Sequence, residues 1–284
     1  MMPLFRARSL VLLALFTAPV ALRAQDAPPP VPKQANLPKD TSLNPKLPTI
    51  FIVGDSTARN GADLGWGDHF AALCDTNRVN VANRARAGRS SRTYYTEGLW
   101  AQTLNDMKAG DFVLIQMGHN DGGGTPDSLR NDAKARGSLK GVGDETVDLP
   151  IAKPFTAGPL VGQTTETVHT YGWYLQKYIA EAKAKGATPI LLTVTVRNIW
   201  KDGQIEHDMG FRTFETQIAE KDHVQLADMA TLEADALQTM GPEKSALLFP
   251  IDHTHTSAEG ADLNAHYVAA SLRAIKAPVA AYLR

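Results

Sequence analysis

The sequence has almost no cysteine, since Cys74 is the only one among 284 residues. An intrachain disulfide is therefore excluded, and a folded domain must rely on its own apolar core. The sequence also lacks a membrane-spanning apolar run, because the stretch that begins with Leu10–Phe16 is short and is interrupted by Pro19 and Arg23. Charge of neither sign is in excess. A net charge of -1 gives no general basic field, so we expect no binding of nucleic acid.

The first 46 residues differ in composition from the rest. Arg6 and Arg8 precede the apolar stretch, and small residues follow as far as Ala24, a pattern typical of a secretory signal peptide over residues 1–24. Residues 25–46 are rich in proline and poor in large apolar residues, which predicts a linker. We therefore expect an exported protein, periplasmic or secreted, with one folded domain over residues 47–284 and no membrane association once the signal is removed.

From residue 47 onward, apolar β-branched stretches alternate with amphipathic ones. This alternation predicts an α/β fold with one parallel sheet covered on both faces by helices. Residues 122–163 show no periodicity and are expected to form a long irregular insertion. The last helix is expected to begin with a capping box at Thr256–Glu259. Strands are expected at residues 47–53, 79–82, 111–117, 188–196 and 224–228. Helices are expected at residues 67–74, 98–107, 166–185, 211–222 and 232–237, and a last helix is expected from residue 257. The buried face of this last helix is expected to carry Leu263, Tyr267, Ala270 and Ala274.

Four polar blocks stand where a strand ends or a helix begins. Because the carboxyl ends of parallel strands meet at one edge of a sheet, we expect the four to lie together. In the first block, Ser56 follows a buried strand, where free backbone N–H groups can face a developing anion. The same position equally suits a serine that only caps a helix. The blocks are Gly54–Ala58, Arg84–Arg92, Gly118–Asp121 and Asp252–His255.

The residue types in these blocks are those of nucleophilic catalysis. Asp252 and His255 are three residues apart, a spacing that lets the carboxylate meet the imidazole Nδ1–H and leaves Nε2 to accept a proton from Ser56. Donors for an oxyanion are the Ser56 N–H, the Gly88 N–H and the Asn120 side-chain amide.

A metal site is the alternative for some of the same side chains. Asp252, His253 and His255 form a small cluster that His119 and Asp121 can join. No zinc spacing of the His-Glu-x-x-His type is present, and a Ser–His–Asp triad explains these residues with fewer assumptions. We therefore expect no metal and no other cofactor.

Together the blocks resemble the SGNH, or GDSL, hydrolase family. Its four signature residues are matched by Ser56, Gly88, Asn120 and His255, with Asp252 as the triad acid. The closer similarity is to the rhamnogalacturonan acetylesterases. The resemblance implies a three-layer α/β/α sandwich of flavodoxin-like type and serine ester hydrolysis without a metal. The stretches that carry it are Gly54-Asp-Ser-Thr, Ala87-Gly-Arg-Ser-Ser-Arg-Thr, Gly118-His-Asn-Asp-Gly-Gly, Val168-His-Thr-Tyr-Gly-Trp-Tyr and Asp252-His-Thr-His-Thr.

The resemblance also implies a substrate, the O-acetyl groups of pectic rhamnogalacturonan. Its galacturonate units carry a carboxylate, and Arg86, Arg89, Arg92 and Arg197 are candidates to bind it, because a guanidinium can bind a carboxylate bidentately. Taken singly, each arginine is also explained as a solvated or loop-holding residue. Two alternatives remain: another ester, such as acetylxylan, a short-chain acyl ester or a lipid, cleaved by the same triad, and a carbohydrate-binding protein without catalysis. The sequence leaves the oligomeric state open.

Overall fold

The computed structural model describes residues 43–61, 63–122, 124–130 and 136–284. The expected signal peptide, and the expected linker up to residue 42, lie outside the described residues. The strands are β1 (Thr49–Gly54), β2 (Asn80–Asn83), β3 (Phe112–Gln116), β4 (Thr146–Pro150), β5 (Thr165–His169), β6 (Thr188–Leu192), β7 (Trp200–Lys201), β8 (Gln204–Ile205) and β9 (Gln225–Ala227). The helices are α1 (Trp66–His69), α2 (Ser91–Thr96), α3 (Leu99–Asp106), α4 (Pro126–Arg130), α5 (Tyr171–Ala184), α6 (Arg212–Lys221), α7 (Met229–Met240), α8 (Pro242–Ala246) and α9 (Ala258–Ala274), with 3₁₀ turns at Phe70–Leu73 and Pro278–Tyr282.

Five parallel strands form the central sheet, in the order β2-β1-β3-β6-β9. All five correspond to stretches that the sequence predicts as strands. Every residue of β1 and of β3 is buried, as expected for strands covered on both faces. Because the strands are parallel, the loops that follow their carboxyl ends lie at the same edge.

The side chains of β1 show how the layers form. Ile50 and Ile52 pack on one face, in a cluster that includes residues of α1 and α9. Phe51 and Val53 pack on the opposite face, with residues of α2, α3, α5 and α6. This alternation is the two-residue period of a strand, and it confirms the predicted three-layer α/β/α sandwich. Among the described helices, none combines the length and apolar character that crossing a membrane requires.

The helix expected from Glu166 starts later than predicted. Residues 165–169 form β5, which pairs antiparallel with β4, and α5 begins at Tyr171 with the Thr170 side chain accepting a hydrogen bond from the Trp173 N–H. Val168 is buried through the alternation of the strand, not through helical spacing. The insertion expected to be irregular therefore contains a hairpin strand and the short helix α4.

The last helix is also displaced from its prediction. Ser257, not Thr256, is the N-cap residue, and its hydroxyl accepts from the Gly260 N–H. The predicted buried face of this helix is wrong, because the observed buried residues lie about one position further along the chain. Alanine occurs on all sides of the helix, so the apolar residues do not distinguish the buried side. The residues of this helix that are buried against the sheet include Ala261, Ala265, Val268 and Leu272, whereas Ala270 and Ala274 are exposed.

Candidate active site

Ser56 lies in a tight turn directly after β1. The Ala58 and Arg59 N–H groups donate to the Asp55 carbonyl oxygen, and the Asp55 carboxylate accepts from the Thr57 N–H at 2.8 Å and from its hydroxyl at 2.9 Å. The next helix, α1, starts ten residues after Ser56 and has Gly65 as its N-cap. The Ser56 hydroxyl therefore caps no helix, which removes the capping explanation for this serine.

The Ser56 hydroxyl is hydrogen-bonded to the imidazole of His255. Nε2 of His255 lies 2.9 Å from Ser56 Oγ, and Nδ1 lies 2.7 Å from Asp252 Oδ2. Because a carboxylate only accepts, Nδ1 carries the proton and the lone pair of Nε2 faces the serine. The spacing of three residues thus produces the predicted contact.

The turn that carries Asp252 keeps its carboxylate ionised. The Thr254 and His255 N–H groups donate to Oδ1 at 2.7 and 2.8 Å. Partial burial alone would raise the pKa of Asp252, but these two hydrogen bonds and the one from the His255 ring lower it to about 2. The acid is therefore negatively charged at neutral pH.

The blocks that carry the expected oxyanion donors are bonded to the first block and to each other. The Arg86 N–H donates to the Gly54 carbonyl oxygen, and the Asn120 amide donates to the Arg89 carbonyl oxygen at 3.0 Å. Gly88 has φ +76°, a left-handed conformation that glycine adopts without strain. Within the described part of the chain, the backbone N–H groups of Ser56 and Gly88 donate to no other residue.

A buried carboxyl group supports the third block. Asp121 is fully buried and accepts from Ser91 Oγ at 2.5 Å and from Ser138 Oγ at 2.8 Å. Burial raises the pKa of Asp121 to about 6, against the opposing effect of these hydrogen bonds. Asp121 directly follows Asn120, and its hydrogen bonds connect this part of the third block to the start of α2 and to the insertion.

His119 is held as a neutral imidazole. Burial lowers its pKa to about 4, with the Arg197 guanidinium acting in the same direction and Asp55 opposing it. Its Nε2 lies 2.8 Å from the Thr195 hydroxyl. Among the described residues, no three His, Cys, Asp or Glu side chains are grouped so that they could hold a metal ion.

The structure separates the four arginines that the sequence nominates for substrate binding. Arg86 is exposed and Arg197 is half-buried, with its Nη2 donating to the His119 carbonyl oxygen at 3.2 Å. Arg89 is ion-paired with Glu97 at 2.8 Å. These three lie in or beside the blocks at the sheet edge.

The expectation for Arg92 is wrong. Its side chain is 4% exposed and forms a bidentate pair with Glu166, with both N–O distances at 2.6 Å. A third hydrogen bond joins Arg92 Nη1 to the Gly137 carbonyl oxygen. The guanidinium therefore holds α2 to β5 and the insertion, and its bidentate face is taken by Glu166.

A further arginine at the site comes from the insertion. Arg136 lines a cavity of about 410 Å³, the Asn120 cavity, together with His119, Asn120 and Asp121. Its Nη1 also donates to the Gly88 carbonyl oxygen at 3.3 Å. No signal in the sequence indicates Arg136, because residues 122–163 show no periodicity that places them near the sheet edge.

An α/β/α sandwich with serine, histidine and aspartate in hydrogen-bonded sequence at the carboxyl edge of its sheet is the arrangement of a serine ester hydrolase. The sequence profile of the family described as GDSL-like lipase/acylhydrolase matches residues 50–268. The chain belongs to this family and is a carboxylic ester hydrolase.

Two relatives and one solved structure show the extent of the similarity. The chain is 33% identical over 219 residues to a rhamnogalacturonan acetylesterase of Emericella nidulans. The aligned region covers 76% of this chain and 80% of that protein. It is 29% identical to a probable rhamnogalacturonan acetylesterase, YesY, of Bacillus subtilis, over 81% of this chain and 94% of that one. The crystal structure of the Bacillus subtilis protein YxiM superposes with a TM-score of 0.62 at 23% identity, covering 82% of this chain and 58% of that chain. This structural likeness supports the fold.

Proposed function

We propose that this protein is a serine esterase that removes O-acetyl groups from an acetylated polysaccharide, and specifically from rhamnogalacturonan, through an acyl-enzyme. The observation that carries the proposal is the continuous relay from Ser56 Oγ through His255 to Asp252, with distances of 2.9 and 2.7 Å. Two relatives named as rhamnogalacturonan acetylesterases support the choice of substrate.

In the first half of the reaction, His255 Nε2 takes the proton of Ser56 as Oγ attacks the acetyl carbonyl carbon. The carbonyl oxygen becomes an oxyanion that accepts hydrogen bonds from the Ser56 N–H, the Gly88 N–H and the Asn120 amide. The Asp252 carboxylate stabilises the imidazolium that forms. The bond to the sugar oxygen then breaks, that oxygen takes the proton from His255, and Ser56 is left acetylated.

In the second half, water replaces the sugar alcohol. His255 removes a proton from the water as its oxygen attacks the acetyl carbon of the acyl-enzyme. The same three donors stabilise the second oxyanion. The bond to Ser56 Oγ breaks, Oγ takes the proton back from His255, and acetic acid leaves as acetate and a proton.

The size and charge of the site favour an acidic sugar chain. An acetyl group needs room for a single methyl, whereas the Asn120 cavity has about 410 Å³, within the range of ligand clefts. The cavity is therefore suited to the alcohol part of the ester. Arg86, Arg136 and Arg197 add positive charge around the blocks, which suits a galacturonate carboxylate better than neutral xylan.

Acetate release from a panel of polymers tests the proposal. Acetylated rhamnogalacturonan, pectin and xylan are incubated with the wild type and with Ser56→Ala as the blank. We expect the largest kcat/KM on rhamnogalacturonan and none with the variant. A preference for acetylxylan or for longer acyl esters would retain the esterase and overturn the substrate. Failure of a serine-reactive phosphonate to label Ser56 would instead favour a carbohydrate-binding protein without catalysis.

Activity should also survive EDTA, because the relay supplies the proton transfers and the three donors supply the charge stabilisation. The control is enzyme carried through the same dialysis without chelator. Loss of activity that a divalent cation restores would contradict the proposed route.

Export is proposed on the sequence of residues 1–24. Mass spectrometry of protein recovered from the periplasm or medium should find a mature N-terminus near residue 25. A full-length N-terminus in that fraction would contradict signal cleavage.

A further inference from the structure

The segment that follows β6, residues 193–198, connects two of the four blocks and is called the bridging segment below. On one side, the Arg197 guanidinium donates to the carbonyl oxygen of His119 at 3.2 Å. On the other side, the Asn198 N–H donates to the carbonyl oxygen of His253 at 2.8 Å. The bridging segment is thus in contact with the third block and with the fourth.

One buried side chain anchors the bridging segment. Glu233 of α7 accepts from the Val196 N–H at 2.7 Å, and its carboxyl group is also hydrogen-bonded to Asn264 of α9. Glu233 is 1% exposed. A single carboxyl group therefore joins α7, the bridging segment and the helix that follows the fourth block.

A small cavity lies beside this carboxyl group, with about 10 Å³ of space, which is near the lower limit for holding one water molecule. Its walls include Leu248 and Thr256, which lie on either side of the loop that carries His255. Tyr267 of α9 is the other titratable side chain in the described lining, which contains no Lys, Arg or His. Without a cation beside it, burial raises the pKa of Glu233 to about 8, so the carboxyl group is protonated at neutral pH.

We propose that Glu233 is a positioning residue for ester hydrolysis, which acts through the bridging segment to hold Asn120 and His255 in register with Ser56. The inference rests on the proposed function, because it needs these three residues to react together. The hydrogen bonds from the Val196 N–H and from Asn264 favour the ionised carboxyl group, but burial outweighs them and keeps it neutral. An ionised one is a buried charge without a cation beneath the two blocks, which disfavours this arrangement.

The test compares Glu233→Gln and Glu233→Ala with the wild type and with Glu215→Gln. Glu215 is a matched control, since it is also a buried carboxyl group, but it is bonded to Tyr171 on the other face of the sheet. kcat and KM are measured from pH 6 to pH 10 with 4-nitrophenyl acetate, corrected for spontaneous hydrolysis. Circular dichroism and thermal melts establish that each variant is folded at the assay temperature.

We expect Glu233→Ala to lower kcat by about tenfold to a hundredfold, because small displacements of reacting groups have effects of this size, with KM changed less than twofold. Glu233→Gln, which keeps an acceptor for Val196, should restore kcat at pH 7. Wild-type kcat should fall above about pH 8, whereas Glu233→Gln should hold its plateau at least one pH unit higher and Glu215→Gln should follow the wild type.

Identical alkaline limbs in the wild type and Glu233→Gln would overturn the inference. So would a Glu233→Ala enzyme that melts earlier but keeps its kcat while folded, or, if that variant does not fold, a Glu233→Gln enzyme with reduced kcat at pH 7. Failure of the proposed function is recognised separately, because hydrolysis would then persist in Ser56→Ala whatever the residue at position 233.

Discussion

The Asn120 side chain is oriented before any substrate arrives. One N–H of its amide donates to the Arg89 carbonyl oxygen at 3.0 Å, so the other can serve an oxyanion without reorganisation. We expect Asn120→Ala to lower kcat by about 10²–10³-fold with little change in KM, because the donor acts on charge that develops only in the transition state. Steady-state kinetics on an acetyl ester measure this. A loss confined to KM would mean that Asn120 binds the substrate instead.

In the proposed mechanism, Asp252 contributes a negative charge and a hydrogen-bond acceptor. Asp252→Asn should fold normally and lower kcat by about 10⁴-fold, as removal of the acid does in serine proteases, because the amide favours the wrong tautomer of His255. Since its pKa is lowered to about 2, Asp252 should cause no loss of activity between pH 4 and pH 7. Full activity in the asparagine variant would show that another acid orients the imidazole.

The residues at the site differ in how far the sequence could place them. Ser56 and Asn120 lie two and four residues after the apolar strands β1 and β3, and these strands determine the edge of the sheet at which they lie. The contact between Asp252 and His255 is local, so the spacing alone indicates it. Arg92 and Arg136 depend on contacts with residues 74 and 48 positions away. Composition does not encode such pairings, so one arginine was assigned wrongly and the other was missed.

At the scale of elements, the Arg92–Glu166 pair holds α2 to β5. Both side chains are almost fully buried, so removing one leaves the other charge without a partner. Arg92→Met should lower the free energy of unfolding by about 3–5 kcal/mol, measured by urea denaturation. Arg89→Met is the control, because its pair with Glu97 is one-third exposed and should cost less than about 1 kcal/mol. Unchanged stability with a raised KM for acidic substrates would return Arg92 to a binding role.

The errors in element assignment have physical causes. In β5, Val168 and Glu166 are buried by strand alternation, yet Val168 also fits the spacing of the helix that follows, and short apolar patterns do not separate the two. The partner strand β4 does alternate, with Val147 and Leu149 buried between exposed residues, but it is only five residues long and stands in a stretch rich in glycine, proline and threonine. The central strands β1 and β3 were predicted because parallel strands that are buried on both faces are nearly continuous apolar runs.

At the scale of the whole molecule, several buried acids make stability depend on pH. Burial raises the pKa of Asp121 to about 6, of Glu233 to about 8, and of Glu215 above its usual range. The folded state therefore holds these protons more tightly than the unfolded chain does. For each group, the free energy of unfolding falls as the pH rises from the pKa of the group in the unfolded chain to its higher pKa in the folded state. The fall is at most about 1.4 kcal/mol per pH unit.

The half-buried His119 opposes this trend at lower pH. The pKa of His119 is lowered to about 4, so between about pH 4 and pH 6.5 the unfolded chain binds the extra proton and stability rises with pH. Above pH 6.5 this contribution is complete. In the window from pH 6.5 to pH 8.5, Glu215 and His69 also have raised pKa values, so the contribution of Glu233 is read from the difference between the wild type and Glu233→Gln.

We expect the free energy of unfolding to fall across this window in the wild type and to fall less in Glu233→Gln, because the amide removes the proton that the folded state retains. Urea denaturation at pH 6.5, 7.5 and 8.5 measures both curves. Glu220→Gln, the same chemical change at an exposed position of α6, should run parallel to the wild type. Parallel curves for Glu233→Gln would show that Glu233 is already ionised at neutral pH, and the alkaline fall in kcat expected above would then lose its physical cause.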